Sequence, residues 1–171
     1  LVRSGLRPLL QAVHKGHAEV ATVLLEAGAD PHGAGGRSPL FAAVRGGDVD
    51  FVRLLLEAGA DAGTSRSYTG QTPLSWAAVH GRAGVAEILL EAGADVNAAT
   101  PPGFTCLHEA VEAGHAEVAG ILLRAGADVN ARDRLDHAPL DYARSKDSPL
   151  HRLLRAHGAK TAAELPPAQQ D

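Results

Sequence analysis

The chain has 171 residues but no methionine, one cysteine and only 4% aromatic residues. A lone Cys106 cannot close an internal disulfide, so the chain suits a reducing compartment and a cytoplasmic location is expected. Long hydrophobic runs are missing too: none approaches the ~18 residues of a membrane-crossing helix, and no signal peptide is visible. An excess of basic residues is also lacking. The formal net charge is −4, which argues against a general nucleic-acid surface, where Lys and Arg would cluster. With no Met and Leu1 in first place, the natural start is expected to lie upstream. What remains is 45% hydrophobic with 19 Gly, a mixture suited to many small interfaces rather than one large core.

Those small interfaces have a period. A Pro-Leu opening recurs at Pro8, Pro39, Pro73 and Pro139, and Cys106 takes the Pro place in one further copy. An Ala-Gly-Ala closing recurs around Gly28, Gly59, Gly93 and Gly126, and His157-Gly158-Ala159 closes a fifth copy. Opening and closing stand 20 residues apart in four copies and 19 in the last, and successive openings are 31, 34, 33 and 33 residues apart. Self-similarity at such a fixed spacing is the mark of a repeat architecture.

Each residue class in the unit has a physical task. Thr72 or Ser38 offers a side-chain oxygen to the open N–H groups of a first helix, and the Pro after it sits where no N–H is missed. Leu74, Ala77 and Ala78 give that helix an apolar face, and Gly81 ends it. Val85, Ala86, Leu89 and Leu90 recur at helical spacing in a second helix. Gly59, Gly93 and Gly126 should then close second helices with positive φ, which a side chain would penalise. Helices this short are marginal alone and become stable when pairs stack into a solenoid.

The runs T-P-L-S-W-A-A and G-R-A-G-V-A-E-I-L-L-E-A-G-A-D-V-N within Gln71 to Asn97 resemble an ankyrin repeat. The resemblance covers Leu6 to Lys160. It implies an all-α ankyrin-repeat solenoid of about five helix-turn-helix repeats joined by β-hairpin-like fingers. The repeats fall at about 4–33, 34–66, 67–100, 101–133 and 134–160 in a domain of residues 1–160, with a tail of 161–171. That tail, with Pro166-Pro167 and Gln169-Gln170, reads as poorly ordered. The finger before repeat two should be stunted and the one before repeat three should reach furthest. Repeat five carries Arg144, Lys146, Asp147, His151, Arg152, Arg155 and Lys160 and reads as a true polar end. Repeat one, with Val13, Val20, Val23, Leu24 and Leu25, is no more polar than the internal copies, so it reads as a cut or uncapped edge that is expected to pack against another copy or a partner.

Catalysis and metal binding find little support. His14 and His17 stand at a spacing that suits one helical face, but no Cys or carboxylate completes a set of four ligands. His17 and His115 share one slot of the repeat, and His108 holds a slot where, in ankyrin repeats, the side chain bonds to neighbouring backbone. Gly33 to Ser38 is rich in glycine before a helix but lacks the Gly-Lys-Ser/Thr ending of a phosphate loop. No base and orienting acid are placed near a nucleophile. No enzyme activity, no metal and no cofactor are therefore expected. Asn97 and Asn130 are expected to tie hairpin backbone.

The resemblance further implies that finger tips and first helices line a concave groove that binds partner proteins. The finger slots of that groove hold Arg37, Arg66, Tyr68, Gln71 and Phe104. The first-helix slots hold Arg45, Trp76, Val79, His80, Glu109, Glu112 and Tyr142. Tyr68, Trp76 and Phe104 should be neighbours with Glu109 and Glu112 to one side, since Trp, Tyr and Arg dominate interface energetics. The plainer reading of Trp76 is packing against its own repeat. The expected function is non-catalytic recognition of another protein, with no nucleic acid and no membrane. The alternatives are a structural spacer within a longer array and the recognition part of a larger protein or enzyme.

Overall fold

The computed structural model describes residues 8–33, 38–63, 70–101 and 103–167. Helix pairs run α1 (Pro8–Lys15) and α2 (Ala18–Glu26), α3 (Pro39–Gly46) and α4 (Val49–Glu57), α5 (Pro73–Val79) and α6 (Ala83–Glu91), α7 (Cys106–Ala113) and α8 (Ala116–Arg124). The last pair is a short 3-10 helix, Pro139–Tyr142, followed by α9 (Pro149–Ala156). First helices pack on first helices in chain order, and α4, α6, α8 and α9 form a second stacked layer behind them.

Local chemistry sets the helix starts. Thr72 accepts from the Ser75 N–H while the Ser75 hydroxyl oxygen accepts from the Thr72 N–H, so two open donors are satisfied reciprocally. Thr105 and His108 do the same at α7, with His108 Nδ1 accepting from the Thr105 N–H at 3.2 Å. Ser38 differs from expectation: its side chain makes no capping bond, and α3 begins on the preset φ of Pro39 alone. The ends are uniform. Gly28, Gly59, Gly93, Gly126 and Gly158 all have positive φ, from 83° to 91°. At each of them the following Ala N–H reaches back to a Leu carbonyl of the last turn at 2.9–3.0 Å.

The core is a double ladder in register. Leu9, Leu40, Leu74, Leu107 and Leu140 are buried in the first-helix row, and Leu55, Leu89, Leu122 and Leu154 in the second. Each such leucine is worth about 2 kcal/mol in burial, so the stack rather than any one repeat carries the stability.

Repeat five departs from the expected helix-turn-helix. Its first helix stops after one 3-10 turn, and Ala143 is extended. The reason is legible in the row that follows the register of Val13, Val44, Ala78 and Val111, all buried. The fifth member is Arg144, which is exposed, so nothing anchors a second turn to the stack.

Fingers are mostly turn rather than strand. The isolated bridge Ala99–Thr105 is the β pairing among the described residues. Around it Thr100 N–H donates to the Phe104 carbonyl at 2.9 Å, and Asp133 N–H donates to the His137 carbonyl at 3.0 Å in the next finger. Gly70, Gly103 and Asp136 hold one slot with φ of 66°, 81° and 65°. A Cβ on Gly70 would stand 2.3 Å from Pro101 Cδ, and one on Gly103 would stand 3.1 Å from Asp133 Cα, so each finger lies against the glycine of the one before. The last finger has no such follower and carries Asp136, ion-paired to Arg132. The lengths expected for the two earlier fingers rest on residues 34–37 and 64–69, outside the described residues.

Cross-repeat ties come from asparagine. Asn97 Nδ2 donates to the Gly126 carbonyl and its Oδ1 accepts from Asp128 N–H, while Asn130 does the same with Gly158 and Lys160. These bonds join neighbouring repeats, a stronger role than tying one hairpin.

The expected loose tail is corrected over its first residues. Glu164 pairs with Arg155 through both oxygens, at 2.7 and 3.1 Å, and its Oε2 also accepts from Thr161 N–H. Ala162 N–H donates to Asp141 Oδ2 at 2.8 Å and Arg132 donates to the Pro166 carbonyl at 2.6 Å. The chain from Thr161 to Pro166 thus lies on repeat five, where polar and charged groups take the place of another repeat. No described helix is long and apolar enough to cross a membrane.

Candidate concave groove

The expected groove floor corresponds to one register position repeated along the first helices: Gln11, Ala42, Trp76, Glu109 and Tyr142. The finger side adds Gln71, Phe104 and His137. Stacking of α5 on α7 and of α7 on the 3-10 helix sets Trp76, Glu109 and Tyr142 in consecutive steps.

The C-terminal part of the floor is an aromatic cluster. Phe104 stacks on His108 with centroids 5.1 Å apart and meets Tyr142 edge-on at 4.9 Å. Tyr142 donates its hydroxyl to Asp133 Oδ2 at 2.5 Å, and His137 Nδ1 stands 3.3 Å from the same hydroxyl. Asp133 also accepts from Leu135 and His137 N–H. Burial acts to raise the Asp133 pKa, but the Tyr142 hydroxyl and these N–H groups outweigh it and hold it below the usual value. Burial first, then the bond to Asp133, pushes Tyr142 up to about 12. The ring is therefore a fixed neutral donor whose orientation the finger sets.

His108 closes the cluster from beneath. Since Nδ1 accepts from Thr105 N–H, Nε2 carries the proton and donates to the His137 carbonyl at 3.3 Å. Burial lowers its pKa, consistent with a neutral ring. Its bonding to backbone agrees with the slot's expected role, and the His137 bond adds a link to the next finger.

Trp76 belongs to a separate contact. It is half-buried against the core and stacks on His80 at 4.4 Å and 23°. His80 Nδ1 donates to the Trp76 carbonyl at 2.9 Å, which fixes the stack. The indole Nε1 is buried and has no hydrogen-bond partner. Among the described residues no ring contact joins Trp76 to Phe104. Tyr68, Arg37 and Arg66 lie outside the described residues.

The other expected site residues divide by task. Val79 is half-buried, and its carbonyl takes the Nε2–H of His115 from the next repeat at 3.0 Å. Arg45 is exposed at the end of α3 and Gln71 half-buried at the base of its finger. Glu112 is exposed while Glu109 is half-buried, and burial, then the charge of Glu112, pushes Glu109 up to about 7. Asp133 is the functional-looking residue that sequence reasoning missed. In sequence it is an ordinary loop acid, and only the fold brings Tyr142 to it.

Cys106 is buried at the start of α7, and burial pushes its thiol up to about 12, which removes it as a thiolate nucleophile near neutral pH. Among the described residues no group of three His, Cys, Asp or Glu side chains is arranged to hold a metal ion.

Comparison with curated proteins found no match. The family described as ankyrin repeats (3 copies) matches residues 9–100 and 65–133, most of the chain. Taken with the stacked helix pairs and their glycine-closed ends, that match shows that the chain belongs to the ankyrin repeat family.

Proposed function

We propose that this chain recognises another protein through the concave face, with no chemistry of its own. Ankyrin repeats are in general protein-protein interaction modules. The observation that supports the reading is the set of Trp76, Phe104 and Tyr142, which stay half-buried beside Glu109 and Glu112 rather than fully enclosed in the stack. Half-exposed aromatics with polar neighbours are what interface anchors look like before a partner arrives. Arg45, Gln71, Val79 and His80 extend the same reading, and Arg37, Arg66 and Tyr68, which lie outside the described residues, are assigned to it by repeat register alone. The test compares capture of partners from the native source by the wild-type chain, by Trp76→Ala with Phe104→Ala, and by a control of Glu57→Ala with Glu91→Ala on second helices. Loss confined to the groove variant supports the reading. Equal capture by all three points instead to a spacer whose faces bind nothing specific.

A second contact is proposed at the N-terminal edge, between copies of the chain. Val20 and Val23 are 51% and 63% exposed, whereas Phe51, Val85 and Val118 at the place of Val20 are at most 3% exposed, and at the place of Val23 Leu54 is half-buried and Ile88 and Ile121 are 6% exposed. Sedimentation of the wild type against Val20→Asp with Val23→Asp tests it: a monomer at every concentration for both would refute self-association.

A further inference from the structure

The groove floor has the chemistry of one kind of side chain. Trp76, Glu109 and Tyr142 occupy the same place on α5, α7 and the 3-10 helix, and all three are half-buried. An acid therefore stands between two aromatic residues in successive steps of the stack, with Phe104 edge-on to Tyr142 from the finger side. Glu112 is exposed one turn further along α7, and its charge adds to the upward shifts of Glu109 and the Tyr142 hydroxyl. Among the described residues neither glutamate side chain has an ion-pair or hydrogen-bond partner.

A half-buried carboxylate without a partner is unfavourable, and the ligand that relieves it is a cation on an apolar stem. The rings pack against the stem and present their negative faces to the charge, while the carboxylate neutralises it. A neutral apolar segment would leave the glutamates desolvated and unpaired, and an acidic one would be repelled. We propose that this part of the groove seats a lysine or arginine side chain of an otherwise apolar partner segment between Trp76 and Tyr142, with Glu109 as its counter-ion and Glu112 at the rim. The inference rests on the groove reading above and narrows it to one partner chemistry.

Protonation supports the geometry. The ionisable groups on the elements packed about Glu109 are His80 just after α5, Cys106, His108 and Glu112 on α7, Glu117 and Arg124 on α8, Asp141 and Tyr142 on the 3-10 helix, and Asp133 and His137 in the finger. Of these only Glu112 shifts it, adding to burial, and the empty groove holds a proton there up to about 7. An arriving cation displaces that proton to solvent, so affinity rises with pH between about 6 and about 8.

Trp76 is the one tryptophan of the chain, so its fluorescence reports directly on the floor. The full chain is titrated with the peptide acetyl-Leu-Lys-Leu-Lys-Leu-amide, with analogues carrying norleucine or glutamate at both lysine places as controls. The expected result is a saturable change with the lysine peptide alone. It should weaken about tenfold in Glu109→Gln, less in Glu112→Gln, and lose its pH dependence in Glu109→Gln. No saturable change with the lysine peptide, equal binding of the norleucine peptide, or Glu109→Gln binding like wild type with the same pH profile would each overturn the inference. If partner capture is lost in the Trp76→Ala, Phe104→Ala variant yet unchanged in Glu109→Gln, the groove reading stands and the cation seat falls.

Discussion

Replacing Gly70 by alanine tests whether the fingers lie against one another. Gly70 has φ 66°, and a Cβ there would sit 2.3 Å from Pro101 Cδ in the following finger. Gly93 supplies the control, since its φ of 84° is just as left-handed but a Cβ would meet nothing within 4 Å. Gly93→Ala should therefore cost the backbone term alone, about 1 kcal/mol. Gly70→Ala adds a collision that the rigid proline ring cannot avoid by changing rotamer, about 1–3 kcal/mol for overpacking. The total of about 2–4 kcal/mol corresponds to a fall in Tm of roughly 4–16 °C at this chain length. The assay is thermal and urea unfolding of Gly70→Ala, Pro101→Ala and their double variant, with Gly93→Ala alongside. Removing the ring should restore most of the excess, giving a coupling of about 1–2 kcal/mol. A cycle that closes to zero, or Gly93→Ala as damaging as Gly70→Ala, would refute the finger contact.

Asn130→Ala removes two bonds between repeats and should cost about 1–2 kcal/mol, with faster hydrogen exchange at the Lys160 amide. Glu109 gives a pH prediction of definite sign. Its folded pKa of about 7 lies above the ordinary 4.5, so the contribution of its protonated form is full below about 4.5 and is lost as pH rises through about 7. Glu109→Gln should accordingly match wild type at about pH 4 and exceed it by about 1–2 kcal/mol at about pH 8, after allowance for partial exposure, in urea unfolding at the two pH values. Arg144→Val restores an apolar residue to the row of Val13, Val44, Ala78 and Val111. It should raise stability by about 1 kcal/mol with a small gain in helical circular dichroism, and no gain would show that the short fifth helix has another cause.

The repeats, the glycine-closed helix ends and the buried leucine rows were legible in the sequence because they depend on spacing and on the backbone freedom of glycine, both local properties. The capping by Thr72 was legible for the same reason, and Ser38 shows its limit: a capable residue type does not guarantee the bond. Arg144 could have been read as a gap in the apolar row, yet its effect on the 3-10 turn depends on what stacks beneath it. The first residues of the tail, to Pro166, were misread because a proline-rich end suggests disorder, whereas Glu164 finds Arg155 only once α9 is in place. In the groove, Glu109 and Tyr142 were placed by register alone. Asp133 was not, since its partners come from a finger backbone and from a helix nine residues away, and no periodicity marks them.

The asparagine ties give the array a direction. Asn97 and Asn130 bridge the later repeats, but Gly63 holds the equivalent place after repeat two and has no side chain to bridge with, and His32 holds it after repeat one. Because each repeat leans only on its neighbours, local opening free energies are set junction by junction. The weakest junctions therefore lie toward α1 and α2, where Val20 and Val23 also stand uncovered. Under heat, tension or protease the stack should unzip from that side, repeat by repeat, while α7, α8 and α9 still hold together. A partner seated on Trp76, Glu109 and Tyr142 would then sit on the half that opens last, and could stay bound to a chain already frayed at its other end.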